Sequence, residues 1–310
     1  MTGQEYDMVV ITGPTATGKT RLAAQVAYRL GSEVISADSR QVYRGMDIGT
    51  GKDLSDYIAD GLAVPCHLVD IADAGYRYNV YEYQRDFIKV YNDMRQRSLI
   101  PVVCGGSGMY VDSIVSGYRL TQVPVNEPLR LSLADRSLAE LTTILSKYKR
   151  LHNKTDVDTV KRAVRAIEIE EYYLTQPADP EPFPVIRPLV VGIMFDRGIR
   201  RDRISRRLKE RLEGGMIEEV QRLLDGGIRP DDLIYYGLEY KYVTLYLLNL
   251  MSFIEMYQKL ETEIHRFAKR QMTWFRGMER RGIEIRWIDG MMDEEEKVEQ
   301  ILEWVGQEGL

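Results

Sequence analysis

The first apolar run of the chain, Met8-Val9-Val10-Ile11 within Tyr6 to Thr12, is short and unbroken. That is the pattern of a strand buried on both faces of a parallel sheet. It stops at Gly13. After a glycine-bearing turn, Leu22, Ala23, Val26, Ala27 and Leu30 recur as one apolar helix face, with Gly31 placed just past the helix end. Glu33 to Ala37 reads as a second strand with Asp38 at its carboxyl end, and Leu99 to Cys104 as a later one running into Gly105-Gly106-Ser107-Gly108. Strands alternating with helices predict an α/β fold on a parallel sheet with helices on both faces. In such sheets ligands bind beyond the carboxyl ends of the strands, where these three loops would converge.

Past about Val115 strand-like runs become rare and charged helical periodicity takes over. Leu138 to Tyr173, Ile204 to Leu224 and Met256 to Arg280 read as helical stretches. A connector with Pro177, Pro180, Pro182, Pro184 and Pro188 leads into Leu189 to Phe195, the last strand candidate, which is assigned to the first sheet. The predicted division is a core over 1–117, a mostly helical insertion over 118–186, a return to the core with basic helices over 187–288, and an acidic tail over 289–310.

Composition narrows the class. At 310 residues, 44% apolar and 29% charged, the chain is long enough for about two domains and has an ordinary globular mix. No apolar run approaches the ~18 residues of a membrane span, and Met1 to Tyr6 has no signal-peptide pattern, so a cytoplasmic protein with no membrane partner is expected. Cys66 and Cys104 cannot build a disulfide framework, and with His67, His152 and His265 they make a poor zinc set. The net charge of −5 is unevenly spread. Asp289 to Leu310 carries eight acids against Lys297, leaving the remainder at +2. Arg197 to Arg211 holds eight basic residues and two acids, and Arg266 to Arg286 seven and two, which keeps an RNA or phosphate partner in view.

Gly13-Pro14-Thr15-Ala16-Thr17-Gly18-Lys19-Thr20 fits G-x-x-x-x-G-K-[ST], the phosphate-binding P-loop. Its glycines let backbone N–H groups curl around phosphate oxygens, Lys19 neutralises them, and the Thr20 hydroxyl is a donor for Mg²⁺. The second apolar strand ending in a Mg²⁺-holding Asp, normal in ATP hydrolases, is missing: Val102-Val103-Cys104 runs into Gly105, and His67-Leu68-Val69-Asp70 is a weak substitute. Group transfer involving a phosphorylated molecule is the better reading. Asp38 is the candidate base, with an Asx turn or N-cap as the alternative. Arg200, Arg203, Arg207 and Arg211 form one helical stripe beside an apolar stripe of Ile204, Leu208 and Leu212.

Four blocks, Gly13 to Thr20, Ile35 to Lys52, His67 to Ile71 and Pro101 to Tyr110, together with the distal Ala268 to Arg276, resemble the bacterial tRNA dimethylallyltransferases, also called isopentenyl-tRNA transferases. The resemblance spans nearly the whole chain. It implies a P-loop NTPase-like core with an inserted tRNA-binding portion. The activity implied is transfer of a dimethylallyl group from dimethylallyl diphosphate to N6 of the adenosine 3′ of the anticodon, with release of diphosphate. It implies catalytic roles for Asp38, Ser107 and Arg207, where Ser107 stands at a position usually held by threonine. It implies diphosphate binding by Gly13, Thr15, Ala16, Thr17, Gly18, Lys19, Thr20 and Arg203, with Mg²⁺ at Thr20. It further implies tRNA binding by Asp38, Ser39, Arg40 and Gln41 and by Asp158, Lys161, Arg162 and Arg165. The expected partners are the anticodon stem-loop of tRNA and dimethylallyl diphosphate, met by a monomer. The chain departs from the family pattern at Cys66, at Gly51 and Asp53 around Lys52, at Tyr235 to Glu239, and most widely between Tyr118 and Asp156. Two rival readings are a nucleotide or nucleoside kinase, with Arg197 to Arg211 as its lid, and a non-catalytic RNA-binding module.

Overall fold

Every side chain of the first strand, Met8–Thr12 (β1), is buried, as an unbroken apolar run on a two-sided sheet requires. The structure is a computed structural model and describes residues 6–149, 155–175 and 183–306. Among the predicted features, His152 and Pro177, Pro180 and Pro182 lie outside the described residues.

The chain divides into two compact units, Met1–Tyr118 with Pro184–Leu310, and Arg119–Phe183. In the first, β1 leads to Lys19–Arg29 (α1), Val34–Ser36 (β2), a small hairpin of Ile58–Ala59 (β3) and Leu62–Ala63 (β4), Cys66–His67 (β5), Val80–Gln96 (α2), Val102–Gly105 (β6) and Gly108–Val115 (α3). The second unit holds Glu127–Leu133 (α4), Leu138–Tyr148 (α5) and Val160–Thr175 (α6). The chain re-enters the first unit at Pro188–Met194 (β7). Then come Arg197–Glu213 (α7), Met216–Asp225 (α8), Pro230–Tyr235 (α9), Leu238–Leu247 (α10), Phe253–Arg280 (α11), Arg286–Asp289 (β8) and Glu294–Gly306 (α12).

Six strands form one sheet in the order β5-β2-β6-β1-β7-β8, all neighbours parallel. Val9 pairs with Val102 on one side and Leu189 on the other. Val9, Ile11, Val102, Leu189, Val191 and Ile193 share a core with Leu22, Ala23, Val26 and Ala27 of α1. Because all strands run the same way, the loops after β1, β2 and β6 leave from one edge, and that edge is where the site lies.

Several sequence expectations change. Leu189 to Phe195 is not the last strand: Arg286–Asp289 pairs beyond β7, and its Trp287 occupies the space that a side chain on Gly192 would need. The segment expected as an acidic tail over 289–310 is, where described, the end of β8, a short turn and a helix built into the core. Val298 and Ile301 of α12 are buried with the α1 side of the sheet, Glu295 pairs with Arg29 at 2.6 Å, and Glu294 pairs with Arg21 at 2.9 Å. The helical stretch Ile204 to Leu224 breaks at Gly215, which has φ +101° and separates α7 from α8. Leu138 to Tyr173 likewise falls into α5 and α6.

The second unit has a core of its own, with Leu133, Leu141, Leu145, Ala163, Ala166 and Ile167 packed together. Beside it the buried Glu168 carboxylate accepts hydrogen bonds from the Asn126 backbone N–H at 2.6 Å, from Arg130 at 3.0 and 3.1 Å, and from Arg165. These bonds hold the carboxyl below its usual range against the opposing effect of burial.

Candidate active site

The P-loop takes its shape from three backbone positions. Gly13 has φ +146°, and a Cβ there would lie 2.6 Å from the Ile193 carbonyl oxygen of β7. Ala16 and Gly18 have φ +65° and +78°, and Gly18 caps the start of α1. Lys19 donates from Nζ to the Pro14 carbonyl at 2.8 Å and to Thr17 Oγ1 at 3.4 Å. Burial, with the nearby charge of Arg207, pulls the Lys19 ammonium down to about 8.

The two facing loops are equally tight. A side chain on Gly105 would collide with the Ala37 backbone, so β6 and the turn after β2 are drawn together. The Ala37 N–H donates to the Cys104 carbonyl at 2.7 Å. Asp38 Oδ1 accepts the Arg40 N–H at 2.8 Å. Asp38 therefore forms an Asx turn and lines the cleft at the same time. Ser107 Oγ accepts the Ser39 N–H at 2.9 Å and lies 3.1 Å from Ser39 Oγ, tying the glycine-rich loop to the turn that carries Asp38.

Helix α7 supplies the arginines, and their roles diverge. Arg207 donates to Thr15 Oγ1 and faces the cleft. Burial, followed by the charge of Arg211, pushes its guanidinium down to about 9. Arg203 does not line the cleft: its Nε donates to the Ala16 carbonyl at 2.9 Å and its guanidinium lies 4.5 Å from the Phe195 ring centroid. It braces the P-loop from outside. From α11, Gln271 accepts the Thr15 N–H at 2.9 Å and donates to the Gly106 carbonyl at 2.8 Å, clipping the P-loop to the β6 loop.

The cleft so formed has a volume of about 440 Å³, in the range of small-molecule sites. Lys19, Arg40, Arg207, Arg211, Lys241 and Arg270 line it against only Asp38, Asp56 and Glu239. This excess of three positive charges suits a polyanion. Ile234, Leu238, Ile264 and Phe267 line it as well, so part of the wall is apolar.

One wall is a loop over residues 46–51, held by groups distant in sequence. The buried Glu219 of α8 accepts the backbone N–H groups of Asp47, Ile48 and Gly49 at 2.9, 2.7 and 3.0 Å, and the Tyr240 hydroxyl at 2.7 Å. The Tyr240 ring fills the space a side chain on Gly49 would occupy, and Arg211 does the same at Gly51. Lys52 closes the loop: its side chain is 1% exposed, and its ammonium meets Asp47 at 2.6 Å, Asp70, and the Tyr43 carbonyl at 2.9 Å. Asp70, the weak candidate for a metal-holding acid, is thus engaged with Lys52.

The fold therefore gathers Thr15 to Thr20, Asp38 to Gln41, Ser107 and Arg207 in one cleft. Asp158, Lys161, Arg162 and Arg165 belong to the other unit. There Arg162 pairs with Asp158 at 2.5 Å, Arg165 is turned onto Glu168, and Lys161 is exposed. Gln271, Glu219 and Arg211 were not foreseen as site residues. For Gln271 a signal existed: it is a polar residue on the buried stripe of α11 that includes Ile264, Ala268, Met272 and Phe275, and a buried amide needs partners.

A P-loop that presents cations to a cleft shared with a carboxylate and apolar side chains defines a P-loop group-transfer enzyme. Residues 41–278 match the model of the IPP transferase family, and residues 6–60 that of isopentenyl transferase. The chain is 60% identical over 298 residues to tRNA dimethylallyltransferase 2 of Bacteroides fragilis, covering 96% of this chain and 97% of that protein. The tRNA isopentenylpyrophosphate transferase of Bacillus halodurans has the same fold, with a TM-score of 0.71, 32% identity, and coverage of 97% of this chain and 96% of that one. A eukaryotic dimethylallyltransferase acting on tRNA gives a TM-score of 0.78 at 19% identity, covering 97% and 79%, a likeness of fold. The chain belongs to the IPP transferase family and is a transferase.

Proposed function

We propose that this protein transfers the dimethylallyl group of dimethylallyl diphosphate to N6 of the adenosine 3′ of the anticodon in tRNA. The observation that carries the reading is that Asp38 and the phosphate-binding set of Lys19, Thr20 and Arg207 face one cleft whose remaining wall is partly apolar. The P-loop amides, Lys19 and Arg207 hold the diphosphate. As the allylic carbon–oxygen bond breaks, its electron pair leaves with the diphosphate, and these cations stabilise the departing charge. The apolar wall receives the hydrocarbon part and limits access of water to the allylic carbon. The N6 lone pair forms the new carbon–nitrogen bond, and the Asp38 carboxylate accepts the proton that nitrogen loses. Its Oδ1 bond to the Arg40 N–H aims the carboxylate while it does so.

Among the described residues no group of three or more His, Cys, Asp or Glu could hold a metal by itself. Mg²⁺ fits in the P-loop manner, with the Thr20 hydroxyl and the nearby Asp56 as hard oxygen donors lining the cleft and the remaining ligands from phosphate and water. When bound it would neutralise charge on the leaving diphosphate.

The adenosine must leave its stack to reach the cleft, with Ser39, Arg40 and Gln41 beside it. Lys161 and Arg162 of the helical unit contact tRNA phosphates, and Arg165 acts mainly by holding Glu168. Among the described residues no helix is long and apolar enough to cross a membrane. We further propose that the protein meets tRNA in the cytoplasm, as a monomer. The test is to incubate protein, tRNA and dimethylallyl diphosphate, digest the RNA, and identify nucleosides by mass. One adenosine per target tRNA carrying a dimethylallyl group in place of a hydrogen is expected; unmodified tRNA refutes the reading, and consumption of ATP with phosphorylated product would replace it with a kinase.

A further inference from the structure

Arg211 stands one turn beyond Arg207 on α7 and lines the same cleft, yet the transfer described above gives it no task. Its guanidinium occupies the place that a side chain at position 51 would take. Gly51 also has φ +69°, so glycine there meets a backbone and a space requirement together. The Arg211 side chain is 13% exposed, and Glu239 lies 3.7 Å from it, too far for a direct hydrogen bond. Among the described residues it makes no side-chain hydrogen bond. A guanidinium carries five N–H donors, and withdrawing them from water without acceptors is unfavourable. An arriving phosphate relieves this with strong charge-assisted bonds. The cations lining the cleft outnumber its acids by three, so Glu239 leaves that demand unmet.

We propose that Arg211 is a phosphate-binding residue of the cleft, a second guanidinium beside Arg207, seated by Gly51 and steadied by Glu239. The proposal rests on the transfer reaction above. The phosphate belongs either to the donor's diphosphate or to the backbone at the target nucleotide, and two arms of one experiment separate these sources. Arg211→Met removes the charge, Gly51→Ala keeps the charge but evicts the guanidinium, and the double variant fills the space without charge. Inhibition by inorganic diphosphate and the KM for dimethylallyl diphosphate report the donor. The salt dependence of tRNA binding reports the backbone.

Arg211→Met is expected to weaken diphosphate inhibition roughly 10-fold or more if the donor is the partner, or to lower the log–log salt slope for tRNA by about 1 if the backbone is. Gly51→Ala and the double variant should show the same loss, with thermal melting within a few degrees of wild type. Wild-type values in both arms for Arg211→Met overturn the proposal. So does a loss in Arg211→Met that the double variant reverses together with its melting temperature, since packing alone would then be the role. A wild-type protein that modifies no tRNA sinks the reaction instead, and the inorganic diphosphate arm still tests Arg211.

Discussion

Two lysines of the core unit, Lys52 buried and Lys19 half-buried in the cleft, are treated in opposite ways. Lys52, at the end of the 46–51 wall loop, has Asp47 and Asp70 beside its ammonium and the Tyr43 carbonyl as a further acceptor. Lys19, in the P-loop, has the Pro14 carbonyl and Thr17 Oγ1, and among the described residues no ion pair. Permanent counter-ions make Lys52 part of the scaffold. Their absence keeps Lys19 available for an anion that comes and goes, at the expense of a depressed affinity for its own proton. The same contrast separates Arg211 from Arg130 and Arg165, which are fastened to the buried Glu168.

The largest effect is expected at the acid that shares the cleft with Lys19. Asp38→Asn keeps an oxygen to accept the Arg40 N–H but cannot take a proton, so kcat should fall ~10² to 10⁴-fold while tRNA affinity and melting are largely kept. Single-turnover transfer beside a melting curve decides it, and near-normal kcat would return Asp38 to a turn-capping role.

Next, Lys19→Ala should lower kcat/KM for the donor ~10² to 10³-fold, in line with loss of one preorganised donor to developing charge, without lowering stability. If the variant unfolds more readily instead, Lys19 is a scaffold residue like Lys52 and the contrast fails. Lys52→Met should do the reverse. It removes charge-assisted bonds to two carboxylates that are themselves 55% and 38% exposed, so solvent softens the loss to about 1–3 kcal/mol. Denaturant titration measures this, and the surviving folded fraction should retain most of its rate.

A smaller effect is a pH dependence that the two lysines should not share. On the proposed reading Lys19 binds diphosphate as the ammonium, and in the free protein burial pulls it down to about 8 from an ordinary 10.5. Donor kcat/KM should therefore hold below pH 8 and fall by up to about tenfold per unit above it. Stability moves the other way: the unfolded chain keeps this proton up to about 10.5, so between 8 and 10.5 it binds more protons than the folded protein, and folding gains as pH rises. A profile for Lys19→Met that retains the same inflection would assign it elsewhere. The smallest effect concerns the helical unit, where replacing Lys161 and Arg162 should reduce the salt slope of tRNA binding by about 1 per lost contact. Replacing Arg165 should chiefly destabilise the unit, which unchanged melting would contradict.

What could be read in advance depended on how far apart the partners lie. The P-loop is legible because Gly13, Gly18, Lys19 and Thr20 act within one turn and the start of one helix. Asp38 was legible as a strand-end carboxylate, a candidate base or an Asx turn, and the structure shows the turn, with Oδ1 accepting the Arg40 N–H. The α7 stripe was visible as a stripe, but periodicity says nothing of what faces it: Arg207 meets Thr15, Arg203 grips the outside of the loop, and Arg211 enters the cleft. The strand Arg286–Asp289 is only four residues long with a charged residue at each end, and only pairing with β7 makes it a strand. The run Asp293 to Glu296 resembled a tail because its arginine partners, Arg21 and Arg29, lie at the other end of the sequence.

By itself, then, the sequence determined the parallel α/β core, the phosphate-binding loop, the candidate base and the family, because each rests on residues close together in the chain or on blocks in a set order. Tertiary structure alone decided that Glu219 and Tyr240 hold the 46–51 wall, that Gln271 clips the P-loop to the β6 loop, that Lys52 is a brace, and that Gly51 makes room for Arg211. Each of these is a meeting of side chains from distant elements. Its energy comes from burial and hydrogen bonding that exist only once the chain has closed around it, and no local pattern of apolar and polar positions encodes which partner a buried polar group will find.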